Sequence, residues 1–386
     1  MSKSVLLIPG LGASILINRK HPYNYYFGKK VLNNRWVNLY PLSKKYMDRW
    51  KDDMRMEFEE DPVTRRILGY TALNEDIVPY DMYGIHGIQN LVHEFDKLTD
   101  PYRNIMEDTF HYQYMLKLNN RLMELGYIPK ETVIGMPYDF RTILDPVVRG
   151  AYFKSLKEVI IETYLKQGGR KLMVVSHSLG GIIFKWFLTE YVDEAFIEKY
   201  IDTLVIVNSP FGGTPNAVKA CTIGDFYVPF MYPLFKDIVH RVSGIIMSLP
   251  NPLCYKDSDI FVHMEDTNET IGMRNFYKND RISFRVWKDL YRPYLDTICK
   301  PIRVRTKIVL STENQTAKRF YTKNIESAPY KIDYDMDGDG LIPAKSLQYA
   351  TRVFNNHEML CIPRSDHVGI LSHPLFLQKI EEWLDE

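Results

Sequence analysis

Short apolar runs at 5–8, 132–136, 171–176, 203–208, 307–311 and 359–363 punctuate the chain. Apolar residues at helical spacing mark about 105–125, 152–166, 179–193 and 371–384. Strands without a polar face are buried on both sides, and helices between them supply the cover. This alternation predicts an α/β fold around a mostly parallel sheet. Two segments break the rhythm. About 18–81 is rich in Tyr, Trp, Lys and Met, and about 214–300 contains "DFYVPFMYPLF", aromatic but broken by Pro229 and Pro233. Both are expected to be insertions at the sheet edge, a lid-like one at 18–81 and a cap at 214–300. With no repeats, low-complexity blocks or Gly/Ser linkers, residues 1–386 are expected to form a single domain.

Composition narrows the classes. The chain has 386 residues, 45% hydrophobic and 25% charged, which predicts a folded core. A net charge of +1 without a basic run argues against nucleic acid as a partner. Cys221, Cys254, Cys299 and Cys361 are widely spaced, so neither a zinc site nor a disulfide framework is indicated. No apolar run is long enough for a membrane span. Near the N-terminus, Pro9-Gly10-Leu11-Gly12 interrupts an otherwise leader-like segment, so 5–8 reads as the first buried strand. The expected location is cytoplasmic.

Chemistry concentrates at "VVSHSLGGIIF", residues 174–184, where a strand stops and a helical pattern starts. "SHSLG" is a G-x-S-x-G elbow with Ser176 in the first small position. A serine on so tight a turn needs small neighbours, and its Oγ then projects above the sheet beside a helix N-terminus. Ser178 is therefore the candidate nucleophile. The candidate base is His367, in "RSDHVG" after the last strand, because active groups of a parallel sheet gather at strand carboxyl ends. His357 precedes the run 359–363 and should lie at the wrong end, and His373 should sit within the start of the last helix.

The acid that orients the base has two candidates. Glu313 directly follows the run 307–311, and "YDMDGDGLIP", 334–343, carries Asp335, Asp337 and Asp339. That turn also imitates a calcium loop, with acids at loop positions 1, 3 and 5 and Gly340 at 6. The closing glutamate is missing, since position 12 is Ser346, and Pro343 occupies position 9. The oxyanion hole requires two backbone N–H groups. Leu179, after the nucleophile, and Leu11, in "IPGLGAS", are the candidates.

Taken together, the motifs resemble those of the lecithin:cholesterol acyltransferase family. "LIPGLGAS" corresponds to its oxyanion loop, "RWVNL" with Trp50 to its lid, and "GMPYDFR" to a signature usually written PYDWR. "SHSLGG", "NSPFGGTP", "DGDGLIP" and "SDHVGIL" follow in the family order. The resemblance assigns the nucleophile to Ser178, the acid to Asp339 rather than Glu313, and the base to His367. It places Trp36 where a lid residue would hold an acyl chain or lipid head region. Asp139 and Arg141 are read as a structural ion pair. Phe140 departs from the usual Trp and Leu341-Ile342 from Thr-Val, and the lid lacks the cysteine pair of secreted members, which fits a reducing compartment.

The resemblance thus implies an α/β-hydrolase fold and a serine-dependent acyltransferase or phospholipase. Its substrate would be a glycerophospholipid and it would need no cofactor or metal. The aromatic run 226–235 is a candidate for peripheral contact with a membrane surface. A pure phospholipase A or lipid esterase is the neighbouring alternative. A non-catalytic lipid-binding protein is the contrary one.

Overall fold

The structure is a computed structural model, and it describes residues 3–26, 29–32, 44–89, 113–225 and 236–386. Its central sheet consists of β1 (Val5–Ile8), β2 (Val133–Gly135), β3 (Leu172–His177), β4 (Ile201–Val207), β5 (Ile302–Thr312) and β6 (Phe354–Pro363). The order is β6-β5-β4-β3-β1-β2, and every neighbouring pair is parallel.

The apolar runs have a direct cause. Side chains alternate across a strand, and in β1 Leu6 and Ile8 enter one core while Val5 and Leu7 enter another. In β3 the split is Leu172 and Val174 against Met173 and Val175, and in β4 Leu204 and Ile206 against Val205 and Val207. Each of these residues is apolar because each face is covered.

Helices make the crossovers. Pro146–Lys166 joins β2 to β3, and Asp145 caps it by accepting from the Val147 and Val148 amides at 2.9 and 3.0 Å, with Pro146 in the first turn. Leu179–Trp186 follows β3 and runs on as a π-turn over Phe187–Tyr191, where the sequence predicts unbroken helix to 193. The helix expected over 105–125 spans Leu116–Glu124, and 105–112 lie outside the described residues. The last helix is Pro374–Asp385, preceded by a 3₁₀ turn over Gly369–Ser372.

Both late strands are longer than their apolar runs. β6 is an edge strand whose Asn355, Asn356, His357 and Glu358 are exposed, so backbone pairing to β5, not apolar burial, makes them strand. His357 consequently lies inside β6, opposite Thr306, and not before the strand as the run 359–363 implied.

A second sheet has no counterpart among the predicted elements. Its strands, in order, are Glu269–Gly272, Ile260–Met264, Thr316–Thr322 and Lys331–Asp335. Ile260–Met264 pairs parallel with Thr316–Thr322, so a strand from the 214–300 segment is completed by one beyond β5.

The 18–81 segment contributes the antiparallel pair Met56–Glu60 and Ile67–Ala72. This hairpin docks on the 214–300 segment: the Ile67 amide donates to Asp289 at 2.9 Å, and Arg285 pairs with Glu60 at 2.9 Å. On its other side, the Tyr70 amide donates to Asp145 at 3.0 Å. Arg141 pins the same region from beneath. Its guanidinium pairs with Asp139 at 2.6 Å and donates to the Asp53 and Ile77 carbonyls at 2.5 and 3.1 Å. The Asp139–Arg141 pair therefore ties the 18–81 segment to the loop after β2.

Candidate active site

Ser178 joins β3 to the helix Leu179–Trp186 with φ 53° and ψ −128°, in the left-handed half of backbone space. A non-glycine residue is strained there, and such strain marks functional turns. Close packing surrounds the elbow. A Cβ on Gly180 would lie 2.4 Å from the Pro9 carbonyl oxygen, and one on Gly10 would lie 2.8 Å from the Ser178 Cβ. The end of β1 can thus approach the serine only because both positions are glycine.

His367 extends from the loop after β6 to meet Ser178. Its Nε2 is 2.9 Å from Ser178 Oγ, and its Nδ1 is 2.5 Å from Asp339 Oδ2. A carboxylate only accepts, so Nδ1 carries the hydrogen, and Nε2 is left to accept the serine proton. The other carboxylate oxygen of Asp339 accepts from the Leu341 and Ile342 amides at 2.9 and 2.6 Å. Asp339 is 1% exposed and His367 9% exposed. The turn that presents Asp339 is itself held, because Thr214 Oγ1 and Asn216 Nδ2 both donate to the Leu341 carbonyl.

The rejected alternatives have other partners. Glu313 sits at φ 62° in the turn leaving β5, and its carboxylate accepts from exposed Arg364 at 3.3 Å. His357 donates through Nδ1 to the Phe354 carbonyl. His373 lies just before the last helix, not within it, and its Nδ1 accepts the Leu375 amide as an N-cap.

Leu11 follows Gly10 at the end of β1, and Leu179 opens the helix after the nucleophile. Among the described residues neither amide is spent on a hydrogen bond. Their side chains converge: a Cβ on Gly244 would meet Leu11 Cδ1 at 2.5 Å and Leu179 Cδ2 at 2.8 Å. Trp36 and the aromatic run 226–235 lie outside the described residues.

The calcium-like turn disperses its carboxylates. Asp335 pairs with Lys318 at 3.0 Å, Asp337 accepts the Glu313 amide at 3.0 Å, and Asp339 faces His367. Among the described residues no three His, Cys, Asp or Glu side chains cluster as metal ligands would. Calcium and EDTA are accordingly expected to leave both activity and melting temperature unchanged. A melting temperature that climbs with calcium concentration would contradict this.

Two contributors have no place among the sequence candidates. His177, the variable residue of the elbow, accepts from the Tyr114 hydroxyl at 2.7 Å through Nδ1 and donates from Nε2 to the His367 carbonyl at 2.8 Å. The only sequence clue is that a histidine precedes the serine. Tyr114 offers none.

Residues 102–291 match the family described as lecithin:cholesterol acyltransferase. The lysosomal phospholipase A and acyltransferase of Canis lupus familiaris is 28% identical over 397 residues, covering 98% of this chain and 91% of that protein. The Homo sapiens protein of the same name is 27% identical over 398 residues, with 98% and 90% covered. Lecithin-cholesterol acyltransferase-like 1 of Arabidopsis thaliana is 28% identical over 253 residues, 62% of this chain and 56% of that one. In fold, the chain is similar to one in the crystal structure of the Tle4–Tli4 complex. That likeness has a TM-score of 0.50 at 11% identity, with 99% and 97% covered. No helix among the described residues is long and apolar enough to cross a membrane. Near-full-length similarity to these relatives joins a parallel sheet that carries a serine on its strand-to-helix elbow, and the chain, on an α/β-hydrolase fold, is similar to the lecithin:cholesterol acyltransferase family.

Proposed function

We propose that this protein is a serine-dependent lipid O-acyltransferase and phospholipase that opens glycerophospholipid esters through an acyl-enzyme. The observation that carries this reading is the continuous line from Ser178 Oγ through His367 to Asp339, at 2.9 and 2.5 Å. His367 takes the proton of Ser178 as Oγ attacks the ester carbonyl, and Asp339 stabilises the imidazolium in its productive orientation. The Leu11 and Leu179 amides receive the developing oxyanion. As the intermediate collapses, the ester C–O bond breaks and His367 returns the proton to the departing lysophospholipid oxygen. An alcohol or water then repeats the sequence on the acyl-enzyme, with His367 accepting its proton, and frees Ser178.

Further parts of the reading rest on the lid and cap. Residues 1–386 work as a single domain, in which 18–81 serves as lid and 214–300 as cap. Trp36 contacts the acyl chain or head region, and the run 226–235 meets the membrane surface peripherally. A cytoplasmic location accords with four unpaired thiols. Fractionation of cells that places the protein in a lysosomal compartment, as the relatives' name would have it, would refute that location.

Transfer and hydrolysis share every step up to the acyl-enzyme, so the triad cannot separate them. The test follows a labelled acyl chain from phospholipid vesicles as a long-chain alcohol or sterol is added. The expected result is acylated alcohol that rises with alcohol concentration at the expense of free fatty acid. Label found only in free fatty acid at every concentration would leave a phospholipase without transferase activity.

A further inference from the structure

His177 takes no part in the ester chemistry, yet it is buried between the two loops on which that chemistry depends. Its contacts fix where its protons are. A carbonyl oxygen only accepts, so the Nε2 atom 2.8 Å from the His367 carbonyl carries the hydrogen. Nδ1 is then an acceptor, and it takes the Tyr114 O–H at 2.7 Å. The Tyr114 oxygen in turn accepts the Gly10 amide at 2.8 Å. Burial, with His367 alongside, holds His177 well below the usual histidine range, so the neutral ring this arrangement needs is the one present. Burial likewise pushes the Tyr114 phenol upward and keeps its proton in place.

The two ends of this line are the backbones that matter most. Gly10 immediately precedes Leu11, whose amide is a candidate oxyanion donor, and it is packed so closely that an added Cβ would lie 3.2 Å from His177 Nδ1. At the other end the His367 carbonyl receives a second donor, Asn208 Nδ2 at 3.2 Å, which also donates to Ser311 Oγ. The His177 ring packs edge-on against Tyr114 and 4.9 Å from the His367 ring.

We propose that Tyr114 and His177 are positioning residues: the line from Gly10 N–H through Tyr114 and His177 to the His367 carbonyl sets oxyanion loop and base in mutual register around Ser178. The inference rests on the reading of Ser178 and His367 as nucleophile and base. Neither Tyr114 nor His177 touches the reacting atoms. A small displacement of a base or oxyanion donor is costly, because proton transfer and charge stabilisation both depend on sub-ångström placement.

Amide side chains divide the line into its halves. His177→Gln puts an N–H near the Nε2 position and retains donation to the His367 carbonyl. His177→Asn puts an acceptor near the Nδ1 position and retains only the Tyr114 contact. Two rates are read: turnover of phospholipid vesicles, and phosphonylation of Ser178 by an alkyl fluorophosphonate. In the second, serine oxygen attacks phosphorus, fluoride leaves and the proton passes to the base, so no acyl acceptor is involved. Tyr114→Phe and His177→Asn are expected to lower kcat and the phosphonylation rate by about 10- to 100-fold. KM should remain within about twofold, and His177→Gln, which keeps the same half of the line as Tyr114→Phe, should lose about as much. Wild-type phosphonylation in all the variants, with only melting temperature reduced, would make these residues ordinary core. Unimpaired rates in His177→Gln beside a severe loss in Tyr114→Phe would also overturn the proposal, because both variants sever the line between Tyr114 and His177. Ser178→Ala is assayed alongside. Activity in that variant overturns the functional reading itself, whereas an inactive Ser178→Ala beside unimpaired Tyr114→Phe and His177→Asn overturns the positioning line alone. If His177→Asn fails to fold, Tyr114→Phe carries the test.

Discussion

Ser178→Ala is expected to lower fatty-acid release from phospholipid vesicles by about 10⁴-fold or more, with melting temperature essentially unchanged. The serine Oγ is the only atom removed, and the elbow that holds it is set by the packing of Gly10 and Gly180 against the serine and the end of β1. His367→Ala should cause a loss of the same order. Since nucleophile and base act as a unit, the double variant should be scarcely worse than either single one. Measured kcat/KM of the three variants decides the matter. Retention of more than about a hundredth of activity in Ser178→Ala would remove the serine from the mechanism.

Asp339→Asn should cost about 10⁴-fold, while Glu313→Gln should stay within about twofold. The amide oxygen of an asparagine can still accept the Leu341 and Ile342 amides, so the turn has reason to persist. Its NH₂ group then faces His367 Nδ1, where a donor now stands. The ring must present an acceptor to it and carry its proton on Nε2, which can no longer accept from Ser178. Glu313, by contrast, engages an exposed arginine. A severe Glu313→Gln and a mild Asp339→Asn would reverse the assignment of the acid.

Much of this architecture was legible because the central strands are buried on two faces. Val5–Ile8 and Leu172–His177 have no solvent side, and the resulting apolar runs stand out against any helix. Where that condition fails, so does the reading. Residues 355–358 of β6 lie exposed on an edge strand paired to β5, and in Lys331–Asp335 the alternating Ile332 and Tyr334 are not buried. The candidate site was readable to the extent that local backbone demands particular residues, as the elbow demands glycines. The choice between Glu313 and Asp339 was not local. Both lie beyond β5, and it is the fold that sets Glu313 against exposed Arg364 and Asp339 against His367. The line through Tyr114 was hidden for the same reason, because its hydroxyl reaches Gly10 and His177 across 104 and 63 positions of sequence.

A covalent acyl group at Ser178 is the step on which all the other roles depend. Its most direct test mixes the protein with a nitrophenyl ester of a long-chain fatty acid, quenches in acid at a series of times, and maps the peptides by mass spectrometry. The expected result is an acyl group on the peptide holding Ser178, rising with the first burst of nitrophenol and absent from Ser178→Ala. Acylation of a different side chain, or nitrophenol release with no adduct at any quench time, would contradict it.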